Sequence, residues 1–124
     1  MTEQAFAWHP VPDINDGFGS ISFSCESNRS RTVLVTMNGA RKLQLRFTRV
    51  IAFQFEDDCP GNFKLPAPLP RLDAKWVFPL LRVDDSAWHR QWPMWPELAH
   101  YVLLSLDDLV QLIALPTVEA RWED

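Results

Sequence analysis

The chain has 124 residues, of which 47% are hydrophobic and 23% charged, with a formal net charge of −4. That length holds one domain, read as residues 1–124, able to bury roughly two-thirds of its unfolded surface without a disulfide or metal staple. The apolar content excludes an intrinsically disordered chain. Met1–Pro12 has no basic patch leading into an apolar run, and no segment approaches the roughly 18 apolar residues of a membrane span. The expectation is therefore a cytoplasmic protein with no membrane association.

Charge is segregated along the chain. Residues 1–26 carry four acids and no Lys or Arg, residues 27–55 carry six bases and no acid, and residues 56–124 carry twelve acids and six bases, giving −4, +6 and −6. The basic stretch (Arg29, Arg31, Arg41, Lys42, Arg46, Arg49) is divided among strand and turn positions in an acidic chain. This argues against a nucleic-acid interface and for pairing with acidic neighbours within the fold. The acidic remainder suits a basic partner.

Residues 1–18 read as an N-terminal extension. Ser20–Cys25 alternates polar and apolar with the period of a half-buried strand, and the β-branched run 31–37 reads alike, with a short polar loop between them. Asn38-Gly39 then signals a tight turn that tolerates positive backbone angles. Apolar residues at odd positions from Leu43 to Phe55, interrupted only by Arg49, predict one long or gently bent strand. Residues 57–72, with Pro60, Pro66, Pro68 and Pro70, read as a proline-rich surface loop. A strand over 75–83 follows, with Pro79 pointing to an edge or a bulge. Ser86 is placed to cap one helical turn near 86–91, closed by Pro93. Leu98–Ser105 and Leu109–Leu115 form a hairpin, a helix over 97–115 being the competing reading. Residues 116–124 read as an exposed tail anchored by Trp122. The fold class is mainly β: an antiparallel sheet, sandwich or partly open barrel of about six strands with one short helical segment.

Candidate sites divide by chemistry. Cys25 and Cys59 form no C-x-x-C pair. Cys25 reads as a small buried hydrophobe, with a Cys25–Cys59 disulfide as the alternative in an oxidising compartment. Gly17-Phe18-Gly19 lacks the third glycine and the following helix of a phosphate loop, so it reads as a turn. His9, His89 and His100 have no metal-ligand spacing, and His100, in phase with Leu98 and Val102, needs a polar partner. The doublets Asp57-Asp58, Asp84-Asp85 and Asp107-Asp108 read as turn residues rather than cation ligands. No cofactor, metal or catalytic set is expected. Trp88, Trp92 and Trp95, beside Arg90, form the most distinctive stretch: at least two of the rings are expected to close the open end of the sheet, leaving one as a candidate contact, since Trp and Arg dominate binding hot spots.

The run from Leu98 through His100, Tyr101 and Asp107-Asp108 to Val110 and Ala114, preceded by Ser86-Ala-Trp88, resembles the C-terminal part of small bacterial proteins of the immunity type. Such proteins neutralise a toxin by binding it. The chain departs from that pattern at Gln111, where an acidic residue often stands, and no functional residue is carried over. The leading expectation is a non-enzymatic protein-binding module of the immunity or antitoxin kind. Asp57, Asp58, Asp84 and Asp85 would face a basic partner and Trp88 or Trp92 would anchor it. A small-ligand or enzymatic pocket around His100, Tyr101 and Trp95 is the second reading, and a homodimeric structural subunit the third.

Overall fold

A computed structural model describes residues 4–12, 14, 17–26, 31–57, 71–73, 76–77, 79–106 and 108–123. Among these, eleven strands and one 3₁₀ turn are present: β1 (Gln4–Ala7), β2 (Ser20–Cys25), β3 (Val33–Asn38), β4 (Lys42–Phe47), β5 (Ala52–Asp57), β6 (Arg71–Asp73), β7 (Trp76–Val77), β8 (Leu80–Asp84), β9 (Ala99–Leu104), β10 (Asp108–Ala114) and β11 (Glu119–Glu123), with the 3₁₀ turn at His89–Gln91. The mainly β class expected from the sequence is what forms. It is an antiparallel sandwich of a five-stranded sheet, ordered β1-β8-β9-β10-β5, and a four-stranded sheet, ordered β11-β4-β3-β2. A two-stranded ribbon, β6-β7, accompanies them.

Alternation builds the four-stranded sheet. Val33, Val35 and Met37 on β3 and Leu43, Leu45 and Phe47 on β4 point inward and are buried, while Thr36, Lys42, Gln44 and Arg46 point away. Three-residue Gly39-Ala40-Arg41 joins the two strands, with Asn38 opposite Lys42. Gly39 is not in the left-handed region. A Cβ there would lie 3.2 Å from the Phe18 ring and 3.3 Å from the Gly17 carbonyl oxygen, so close approach, not a positive angle, is what glycine provides.

The single strand expected over 43–55 is instead two strands in different sheets. Arg49 takes φ 50°, which no continuing strand permits. The next two amides then bond in opposite directions, Val50 N–H to Arg31 O and Ile51 N–H to Ile113 O. Because the reversal spans an even number of residues, the odd-numbered apolar set stays inward on both sides of it.

Two segments expected to be peripheral are strands. β1 pairs with β8 and Trp8 packs on Tyr101 and Phe47, with ring centroids 4.7 and 6.1 Å apart, so residues 1–18 are not a mere extension. β11 pairs with β4 and turns Ala120 and Trp122 toward the core, so 116–124 is not a free tail. Glu119, Arg121 and Glu123 on its outer face keep this edge charged, which discourages pairing with another chain. The 75–83 strand is interrupted: β7 ends at Val77 and β8 starts at Leu80, flanked on both sides. Pro79 therefore lies just before an interior strand rather than on an edge, and its carbonyl accepts the Leu104 N–H. Of the proline-rich loop, Asp57 closes β5 and Arg71–Leu72 belong to β6, while 58–70, including Asp58 and Cys59, lie outside the described residues.

The C-terminal hairpin forms as strands, not as a helix. β9 and β10 pair from Leu104↔Leu109 to Ala99↔Ala114. Every residue of β10 is buried, because it lies inside a sheet covered on both faces. This explains the near-continuous apolar run, whose lack of strict alternation also suited a helix. Tyr101, Leu103, Val110 and Leu112 join the inter-sheet core, while Val102 and Leu109 pack with Leu81, Val83 and Ala5 on the outer face.

Asp108 is a second departure. It is not a turn residue but the first residue of β10, 4% exposed, and its Oδ2 accepts the Ile21 N–H across the sandwich at 2.8 Å. The turn carboxylate function passes to Ser105, whose Oγ accepts the Asp108 N–H at 2.9 Å. Phe23 closes the same corner against Phe53 and Phe55, at 4.7 and 5.1 Å.

The basic segment does find acids within the fold. Arg46 lies 2.9 Å from Glu26 and 3.7 Å from Glu119, Arg49 lies 3.5 Å from Glu97, and the Arg41 guanidinium sits 4.2 Å over the Trp122 ring.

Candidate functional site

The connection from β8 to β9 carries the site. β8 ends at Asp84, and Asp85 takes φ 52°, an uncommon backbone for a residue with a Cβ. This reversal delivers Ser86 beneath a short turn. Its Oγ accepts the His89 N–H at 3.0 Å and the Arg90 N–H reaches the Ser86 carbonyl at 3.1 Å, so Ser86 tethers the turn, whose N-cap position is Trp88 and not the Ser86 expected from the sequence. The Trp92 N–H then bonds His89 O, and the His89 Nε2–H donates to Trp95 O at 2.8 Å. The Arg90 guanidinium donates to Asp85 O at 2.6 Å. A segment rich in Trp and Pro is thus held in place by hydrogen bonds to its own backbone.

Between this segment and the end of the sheet lies a cleft of about 450 Å³, lined by Asp84, Asp85, Ser86 and Trp92 together with Arg82 and Arg90. Pro93 and Pro96 add apolar wall. Asp84 and Asp85 are exposed, Trp88, Trp92 and Trp95 are half-buried, and Met94 on the same segment is 62% exposed. Trp88 and Trp92 meet edge to face at 6.2 Å.

Of the four aspartates expected to face one partner, Asp58 lies outside the described residues and the other three are not at one end of the sheet. Asp84 lies one position beyond Val83, which is level with His100, Ile113 and Ala52, whereas Asp57 lies five positions from Ala52 in the opposite direction. Standard strand spacings put them roughly 20 Å apart along the strands and about 14 Å across. Asp84, Asp85 and Trp92 are brought together with Trp88 alongside; Asp57 is at the other end of the sheet.

His100, Tyr101 and Trp95 do not share a pocket either. His100 and Tyr101 are consecutive on β9 and point to opposite faces. Tyr101 is in the inter-sheet core, its hydroxyl donating to Leu115 O at 3.3 Å. Burial raises its pKa above the ordinary 10.0, and the positive charge of Arg82 partly offsets this. His100 is 1% exposed on the outer face, with Nδ1 2.7 Å from Ser86 Oγ and Nε2 2.9 Å from Gln111 Oε1. The Trp88 ring stands edge-on to the imidazole at 5.1 Å. Ser86 and Gln111 are the partners that a histidine in this phase requires. Gln111, a polar residue between the apolar Val110 and Leu112, was the available signal for the second of them.

Cys25 is exposed on β2, not buried, because alternation carries it past the rim of the core at the edge of the four-stranded sheet. It is remote in topology from His100. Among the described residues no group of three or more His, Cys, Asp or Glu could hold a metal ion. No described helix is long and apolar enough to cross a membrane. No protein-family model, curated protein or solved structure matches this chain.

Proposed function

We propose that the chain is a protein-binding module of the immunity type that covers a basic partner, with the β8–β9 cleft as its contact surface. The observation that carries this is the juxtaposition of two exposed carboxylates, Asp84 and Asp85, with the half-buried Trp92 in one cleft. An aromatic anchor in a recess with charges at its rim is the usual anatomy of a binding hot spot. Arg82 and Arg90 line the same cleft, so attraction at long range comes from the chain's net −4. The role of Asp84 and Asp85 is to fix where a partner's lysine or arginine docks.

The test is selection from a displayed random-peptide library on the intact chain, followed by association kinetics of the selected peptides at several salt concentrations. Selected sequences carry Lys or Arg beside an apolar residue. The double substitution Asp84→Asn with Asp85→Asn slows association and flattens its salt dependence without altering the circular dichroism spectrum. Trp92→Ala speeds dissociation. Binders whose kinetics are unchanged by all three substitutions would refute the assignment of this surface.

A further inference from the structure

Ser86, 4% exposed in the cleft lining, begins a buried hydrogen-bonded series through His100 to Gln111 that a contact surface does not require. β8 enters a reversal with a left-handed non-glycine residue, Asp85, and the next residue, Ser86, lies three residues before the 3₁₀ turn at His89–Gln91. Backbone strain beside a serine of this sort clusters at functional sites.

The hydrogen bonds around Ser86 are directional. Its oxygen accepts the His89 N–H at 3.0 Å, and His100 Nδ1 lies 2.7 Å from the same oxygen. On the other side of the ring, Gln111 Oε1 accepts from Nε2 at 2.9 Å. A carboxamide oxygen has no proton to give, so Nε2 carries the ring hydrogen and Nδ1 presents its lone pair to the serine hydroxyl. This is the tautomer a general base needs, fixed by the residue behind it as in a serine–histidine triad, with the two ring nitrogens exchanged. The three groups come from the end of β8, from β9 and from β10, which are neighbouring strands, so their spacing is set by the sheet.

We propose that Ser86 is an acyl-accepting nucleophile with His100 as its general base and Gln111 as a positioning residue, acting on small carboxylic esters that enter the cleft. Ser86 Oγ bonds to the ester carbonyl carbon while its proton passes to His100 Nδ1. Collapse of the tetrahedral adduct breaks the bond to the alcohol oxygen, which leaves with that proton. Water then attacks acyl-Ser86, again giving its proton to His100, and releases the acid and the free hydroxyl. A neutral carboxamide behind the imidazole makes a weaker base than a carboxylate would.

The probe is a tagged fluorophosphonate applied to the whole chain. Serine attack forms a P–O bond, breaks the P–F bond and releases fluoride, with the hydroxyl proton taken by His100. Mass spectrometry is expected to place the adduct on Ser86, at a rate that rises with pH along a single ionisation as His100 becomes neutral. His100→Asn, which keeps a polar atom near the Nδ1 position but is no base, is expected to slow labelling about a hundredfold. Gln111→Glu puts a carboxylate behind the ring, stabilises the imidazolium, moves the pH midpoint upward and speeds labelling above it. A purely structural role for Gln111 would leave that midpoint unmoved. No adduct on Ser86 in the unaltered chain, His100→Asn labelling at the original rate, or an unshifted midpoint in Gln111→Glu would each overturn the proposal. Because the first and third readouts do not depend on the His100 variant folding, the test stands without it. Peptide binding at the cleft rim is measured separately, so failure here leaves that reading intact.

Discussion

Asp108 offers the sharpest test of how the two sheets are joined. Its Oδ2 accepts the Ile21 N–H at 2.8 Å in a buried setting, while Oδ1 has no hydrogen-bond partner among the described residues. Asp108→Ala removes the acceptor and leaves a buried amide unpaired, a cost of about 1–3 kcal/mol. Loss of the poorly solvated Oδ1 offsets part of the effect, so a net destabilisation of about 2 kcal/mol is expected. With an unfolding entropy of about 2.1 cal/mol/K per residue over 124 residues, that lowers Tm by roughly 8 °C. Asp108→Asn keeps an oxygen for Ile21 and puts an amide in place of the orphan oxygen, so it is expected to stay within about 1 kcal/mol of the parent. Urea unfolding followed by tryptophan fluorescence gives both differences, and hydrogen exchange of the Ile21 amide reports the bond directly. If Asp108→Ala unfolds at the parent's urea midpoint, or the Ile21 amide is equally protected in both, the inter-sheet bond does not have this role.

Two further outcomes follow from burial. Tyr101 is the chain's one tyrosine, so absorbance at 295 nm titrates it alone, and its midpoint in the native protein is expected above that in urea. Below pH 10 both states keep the proton and stability is unaffected by this group; above it the unfolded state ionises first, and stability is lost as pH rises through the raised folded value. Coincident native and urea midpoints would contradict the burial of the phenol. Cys25 is exposed, so in a Cys59→Ser variant its thiol is expected to react with Ellman's reagent in native buffer as fast as in urea. A large lag in native buffer would place it inside.

The sequence carried the β class and the central hairpins because Ser20–Cys25, Val33–Met37 and Leu43–Phe47 alternate cleanly, and a period of two is hard to satisfy any other way. The crossing at Arg49 was invisible for the same reason: an even-residue reversal preserves parity, and a polar residue at an odd position marks the break without saying that the chain changes sheets. β11 was legible in principle, since Val118, Ala120 and Trp122 alternate with charges. Its terminal position and charge suggested a tail, whereas a charged face is what an exposed edge strand uses. Of the candidate site, Ser86 and His100 were each singled out, but for separate local reasons. Their meeting depends on β8 and β9 being neighbours, and the dispersal of Asp57 from Asp84 depends on register across four strands. Neither is a property of any short window.

A strand without a solvent-facing position is unforgiving. Where β3 and β4 offer every second residue to water and so accept polar replacement there, residues 108–114 have nowhere to put a change of size or charge. Tolerated changes in this stretch are expected to be swaps that conserve volume, and Gln111 is accommodated in it by the imidazole that meets its carboxamide. Among the described strands β10 is therefore the least tolerant of substitution, while the outer face of β11 accepts exchanges that keep it charged.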